Sequence, residues 1–113
     1  MIDQIHPRDL AAWLKATSTQ GQPLVLDVRE PWELETASVR VDGFEFLAIP
    51  MHAIPVRLHE LNAGRPVACL CHHGGRSMQV AAFLKQHGFA HVANIVGGID
   101  AWSRENDPSI PRY

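Results

Sequence analysis

Four short apolar runs, Leu24-Val25-Leu26-Asp27-Val28, Phe46-Leu47-Ala48-Ile49, Val67-Ala68-Cys69-Leu70 and Val92-Ala93-Asn94-Ile95-Val96, set the main constraint on this chain. Each is apolar at consecutive rather than alternate positions, so both of its faces are suited to burial. That pattern belongs to strands inside a parallel sheet covered on both sides. The segments between them carry helical signals. Pro7 suits the first position of a helix because its φ is already fixed, and Leu10, Trp13 and Leu14 follow at helical spacing, with a stop near Gly21. A second helical segment is expected from Ile54 to Leu61, with Leu58 and Leu61 on one face. A third opens after Arg76, carries the stripe Val80, Ala81, Phe83, Leu84 and ends at Gly88. The last starts after Gly97-Gly98 and includes Ile99, Ala101 and Trp102.

Strands alternating with helices at this spacing predict an α/β domain with a mostly parallel central sheet. With 113 residues the chain has room for one core, so residues 1–113 are expected to form one domain, with 107–113, which hold two prolines, as a tail. A formal net charge of -2 gives no global pull toward nucleic acid or anionic lipid. Small molecules or protein partners fit better. No run of about 18 uninterrupted apolar residues occurs and the N-terminal MIDQIHPRDL does not resemble a signal segment, so no membrane association is expected. Cys69 and Cys71 are too close along an extended chain to form an ordinary disulfide, which points to free thiols and a reducing cytoplasm.

Cys71 stands at the carboxyl end of the third run, followed by His72-His73-Gly74-Gly75-Arg76 and a helix opening at Ser77. Open α/β sheets place their ligands at such strand ends. A glycine-rich turn there can aim successive backbone N–H groups inward, and the positive end of the next helix dipole points to the same spot. A sulfur at the centre of that cradle is favoured as thiolate, its nucleophilic form. Cys69 lies within the apolar run and is expected to be an inert core thiol. Asp27, at the end of the first run, is expected to accept backbone N–H bonds and fix a loop, and Trp32 and Trp102 to pack the core.

At this loop the resemblance to a known family becomes specific. Cys71-His72-His73-Gly74-Gly75-Arg76-Ser77 resembles the Cys-x-x-Gly-x-Arg-Ser active-site loop of the rhodanese family. Asp27-Val28-Arg29-Glu30-Pro31-Trp32-Glu33 is similar to the family's strand-to-helix signature, Ile49-Pro50-Met51 to its next landmark, and the stretch from Asn94 to Trp102 to its C-terminal signature. One departure lies between Thr36 and Phe44, where the family pattern Gly-His-Ile-x-Gly-Ala is replaced by TASVRVDGF. The resemblance implies a three-layer rhodanese-like fold, with helices on both faces of the sheet, and sulfur transfer without a cofactor. A donor such as thiosulfate gives sulfur to Cys71, and cyanide, a thiol or a protein thiol takes it away. Cys71 is then the catalytic residue, with His72, His73, Gly74, Gly75, Arg76 and Ser77 forming the substrate loop and Asp27 and Arg29 supporting it.

Arg76 has two open roles, binding the donor or forming a structural ion pair with Glu30 or Glu33. Either His72 or His73 could be a pH-sensitive cation at the pocket mouth. A metal site built from these histidines and the two cysteines is disfavoured, because four candidate ligands crowd into five residues, 69–73, with no second cluster. Two other functions remain in view. One is a sulfur carrier whose partner supplies turnover. The other resembles the dual-specificity phosphatases and arsenate reductases, whose loops place five residues between cysteine and arginine, against the four residues 72–75 here.

Overall fold

The computed structural model describes residues 2–113. In chain order the elements are β1 (Asp3–Ile5), α1 (Leu10–Thr17), β2 (Leu24–Asp27), α2 (Pro31–Thr36), β3 (Glu45–Ala48), β4 (Val67–Leu70), α3 (Gly75–Gln86), β5 (Val92–Ile95) and α4 (Gly98–Glu105). The strands form one sheet in the order β1-β5-β4-β2-β3, and every pairing is parallel. The four apolar runs are the four strands β2 to β5. Edge strand β1 carries no apolar run and is exposed at Asp3 and Gln4. It is held by its ladder to β5 and by the Trp13 indole N–H, which donates to Asp3 at 2.9 Å.

Alternate residues of the central strands feed two separate cores. Leu24, Leu26 and Val28 join Val67, Cys69, Cys71 and Val92 under Val80, Ala81 and Leu84 of α3. On the opposite face Val25, Ala68, Leu70, Ala93 and Ile95 pack against Leu10 and Trp13 of α1 and Ile99 and Trp102 of α4. This is the three-layer arrangement expected of a wholly parallel sheet, whose strands must be covered on both sides.

Several local expectations change. Pro7 opens a single 3-10 turn, Pro7–Asp9, and the α-helix proper starts only at Leu10. Residues 54–61 do not form an α-helix: one 3-10 turn, Met51–Ala53, precedes them and a second, Leu58–Glu60, lies within them. A spacing of three between Leu58 and Leu61 fits a 3-10 turn as well as an α-helix. α3 starts at Gly75, ahead of the expected Ser77. Trp102 is buried as expected, but Trp32 is 60% exposed. On the short helix α2 the inward position belongs to Glu33, and one residue earlier is about 100° round the helix. Residues 107–113 form no helix or strand, yet they pack closely. Ile110 is buried, and its carbonyl accepts the Ser103 hydroxyl at 2.7 Å.

Candidate active site

The chain leaves β2 outward to β3, whereas from β4 it turns the other way to β5. The carboxyl ends of the neighbours β2 and β4 therefore flank a topological switch point, the place where open α/β sheets form a crevice. Cys71 follows β4 there, beside Val28, whose N–H donates to the Leu70 carbonyl at 2.9 Å. Cys71 continues the strand alternation onto the α3 face, so its sulfur points at the start of that helix.

The turn from Cys71 to Gly75 curls the chain back over the sulfur. Gly74 has φ +108°, a left-handed conformation that glycine adopts without a Cβ clash. Its N–H donates to Cys71 Sγ at 3.0 Å, and Ser77 Oγ lies 3.2 Å from the same sulfur. The N-terminus of the twelve-residue helix α3 lies adjacent, so the Gly74 N–H and the helix dipole both turn their positive ends toward the sulfur. The thiol is only 1% exposed, so a donor must enter through the loop that surrounds it. Cys69 is wholly buried among apolar neighbours, and burial pushes its thiol far above the ordinary range, as expected for an inert core cysteine.

The α4 N-terminus clamps the loop from the opposite side. Ile99 N–H donates to the Cys71 carbonyl at 2.8 Å and Asp100 N–H to the His72 carbonyl at 3.2 Å. This approach needs Gly98, at φ +61°, because a Cβ there would fall on those two carbonyl oxygens. The sequence shows Gly97-Gly98 only as a weak turn signal; its place against the cysteine loop depends on tertiary packing.

Of its two open roles, Arg76 takes the ion pair, and with Glu33 rather than Glu30. Its two terminal nitrogens donate to Glu33 Oε1 and Oε2 at 2.6 and 2.8 Å. Glu33 also accepts the Glu30 N–H at 3.0 Å and the Tyr113 hydroxyl at 2.7 Å. The Arg76 hydrogen bond leads in holding the Glu33 carboxyl down to about 2, against the opposing effect of burial. Asp27 fixes its loop as expected, accepting the Arg29 N–H at 3.1 Å, and it also carries the Arg29 guanidinium, with Nη2 at 2.8 Å. Both side chains are fully buried. Burial opposes the Arg29 charge, but the hydrogen bonds and charge of Asp27 together with Tyr113 outweigh it and raise the Arg29 pKa. Arg29 Nη1 reaches on to the Tyr113 hydroxyl at 3.0 Å.

His72 lies between two rings, its centroid 3.8 Å from that of His73 and 3.8 Å from that of Tyr113. Burial, and then the neighbouring His73, lower the His72 pKa, which disfavours a cation at this position. His73 stands exposed. Tyr113, in the segment read from sequence as a tail, is the contact that sequence gave no means of finding. Among the described residues no group of His, Cys, Asp and Glu side chains gathers to hold a metal ion, and no helix is long and apolar enough to cross a membrane.

Comparison with known proteins agrees with this geometry. A sulfurtransferase of Allochromatium vinosum is 34% identical over 97% of this chain and 96% of its own length. The rhodanese-like/PpiC domain-containing protein 12, chloroplastic, of Arabidopsis thaliana is 45% identical over 99% of this chain, which spans only 38% of that longer protein. The crystal structure of a rhodanese-related protein from Thermoplasma volcanium superposes with a TM-score of 0.75 at 32% identity, covering 98% of this chain and 99% of that one. The family model described as rhodanese-like domain matches residues 10–105, and the chain belongs to that family.

Proposed function

We propose that this chain moves sulfane sulfur from a small anionic donor such as thiosulfate to a thiophilic acceptor through a persulfide on Cys71. The observation that carries this reading is the Cys71 sulfur itself, at the switch point of the sheet, with the Gly74 N–H on it at 3.0 Å and the α3 N-terminus beside it. The Cys71 thiolate attacks the outer sulfur of thiosulfate, the donor's S–S bond breaks, and sulfite leaves with the electron pair. An acceptor such as cyanide or a thiol then attacks the outer sulfur of the persulfide. This breaks the new S–S bond and returns the electron pair to Cys71, so no external oxidant or reductant is needed. The Gly74 N–H and the α3 N-terminus stabilise its charge before and after transfer. Donor binding falls to the turn His72-His73-Gly74-Gly75 and to Ser77. Arg76 orients the loop through Glu33, and Asp27 with Arg29 props the neighbouring turn.

Intact-mass measurement after incubation with thiosulfate tests this directly. The wild type and Cys69→Ser should gain one sulfur atom and release it to cyanide as thiocyanate, while Cys71→Ser gains none. Equal loss in both variants, with both still folded, would refute a single nucleophile. A wild type that gains no sulfur would remove the reading altogether.

A further inference from the structure

Ser77 has one hydroxyl proton, and the hydroxyl lies near three acceptors: Asn94 Oδ1 at 2.6 Å, the Gly74 carbonyl at 3.2 Å and Cys71 Sγ at 3.2 Å. A separation of 2.6 Å belongs to O–H···O rather than N–H···O geometry, so the amide oxygen of Asn94 faces Ser77 and takes the proton. The rest of the row agrees. Asn94 Nδ2 donates to Gln4 Oε1 at 3.1 Å, and Gln4 Nε2 donates to the Met78 sulfur at 3.1 Å. A thioether can only accept, so the direction of donation is set from the Met78 end: the Gln4 carbonyl turns toward Asn94 and the Asn94 oxygen toward Ser77. Asn94 sits on β5 opposite Cys69, 5% exposed, and its side chain has no bond to the sulfur. With its proton committed to Asn94, Ser77 Oγ offers Cys71 a lone pair. That arrangement accepts the S–H of a thiol and opposes a bare thiolate.

We infer that Asn94 is a positioning residue of the sulfur-transfer site, holding the Ser77 hydroxyl proton away from Cys71 Sγ and thereby setting how readily the thiol gives up its own. The inference rests on the proposed role of Cys71. When the thiol ionises, its proton leaves to water and the Ser77 hydroxyl turns from Asn94 to donate to the sulfur; no other bond changes. The remaining charged and titratable groups around the sulfur are His72 and His73 on the loop, Arg76 on α3, Glu33 on α2, Asp100 on α4, Cys69 on β4, Asp27 at the end of β2, Arg29 after it, and Tyr113. None is hydrogen-bonded to the side chain of Ser77 or Asn94, so substitution at 94 leaves them in place.

The test is the rate of Cys71 alkylation by iodoacetamide as a function of pH, in a Cys69→Ser background so that one cysteine reports. Asn94→Leu removes the acceptor, frees the Ser77 proton for sulfur and should lower the pH midpoint by about half a unit, equal to about threefold more thiolate at a fixed pH below it. Asn94→Asp holds the proton more strongly, adds negative charge and should raise the midpoint. In a Ser77→Ala background Asn94→Leu should have no effect. If Asn94→Leu does not fold, Asn94→Ala carries the same prediction. Shifts in one direction for both Asn94→Leu and Asn94→Asp, no shift in either, or an undiminished Asn94→Leu effect without the Ser77 hydroxyl would each overturn the inference. Sulfur loading from thiosulfate is measured by mass in parallel. A wild type that fails to load refutes the sulfurtransferase reading, whereas one that loads while the midpoints stay fixed refutes only the role of Asn94.

Discussion

Glu33 holds together more of the site than any residue that touches the sulfur. It takes a bidentate pair from Arg76, the Tyr113 hydroxyl and the Glu30 N–H, and it is almost fully buried. Its carboxyl is lowered from an ordinary value of 4.5 to about 2, first through the Arg76 hydrogen bond. A depressed carboxylate stabilises the fold at pH above its unfolded value and loses that contribution as pH falls toward the folded one. Stability should therefore drop between pH 4.5 and about 2, by roughly 2–3 kcal/mol from this group. Glu33→Gln keeps the shape but removes the titration. Denaturant unfolding across this window should show a lower starting stability and a visibly flatter pH slope in the variant, and equal slopes would mean that other carboxylates carry the acid response. The importance of Glu33 was only half legible in sequence. Cys71 stands out because a nucleophile at a strand end before a glycine turn has a local signature, and Asp27 because a carboxylate at a strand end fixes the loop that follows, whereas Arg29 is marked only by the family resemblance. The choice of Glu33 over Glu30 for Arg76, and the outward turn of Trp32, depend on how α2 rotates against α3, and no local pattern encodes that rotation.

At the level of elements, the cysteine loop is shaped between two helix N-termini, and of the two glycines that begin those helices only one is required by its surroundings. Gly98 begins α4 in a left-handed conformation with the Cys71 and His72 carbonyls where a Cβ would go. Gly75 begins α3 with open space around the position of its missing Cβ and without a positive φ. Gly98→Ala should therefore force the loop away from α4, lowering the melting temperature by several degrees and sulfur transfer at least tenfold. Gly75→Ala should melt at or slightly above the wild-type temperature, because alanine favours helix more than glycine does. Similar melting temperatures for the two variants would show that the α4 contact does not constrain the loop. The four strands with continuous apolar runs, and the helices that α3 and α4 represent, were readable because burial on both faces and a 3.6-residue stripe leave distinct patterns. Strand β1 left none, since as an exposed edge it needs only backbone pairing. The segment 54–61 reads as a helix because leucines three apart satisfy a 3-10 turn and an α-helix alike.

Across the whole molecule, the segment after α4 returns over the carboxyl ends of the strands and joins elements that are far apart in sequence. Ser103 holds the Ile110 carbonyl, Arg112 pairs with Asp100 at 2.9 Å, and Tyr113 meets Arg29 after β2, Glu33 on α2 and His72 in the cysteine loop. The Tyr113 ring lies parallel to His72, within 6°. Its hydroxyl is pushed up to about 12, burial being the main cause, so it stays protonated and can donate to Glu33 while accepting from Arg29. Ring and hydroxyl thus do separable work. Tyr113→Phe keeps the stacked ring and removes both hydrogen bonds, which should cost about 1–2 kcal/mol because two buried charged groups each lose a partner. Tyr113→Ala loses the same bonds and also uncovers His72. Since burial is the first cause of the lowered His72 pKa, the imidazole should then titrate at a higher pH, closer to 6.5, whereas in Tyr113→Phe it should stay low. An NMR titration of the His72 ring in the three proteins separates these effects. If His72 titrates identically in wild type and Tyr113→Ala, the neighbouring His73 rather than the Tyr113 ring holds it low, and the returning segment contributes stability alone.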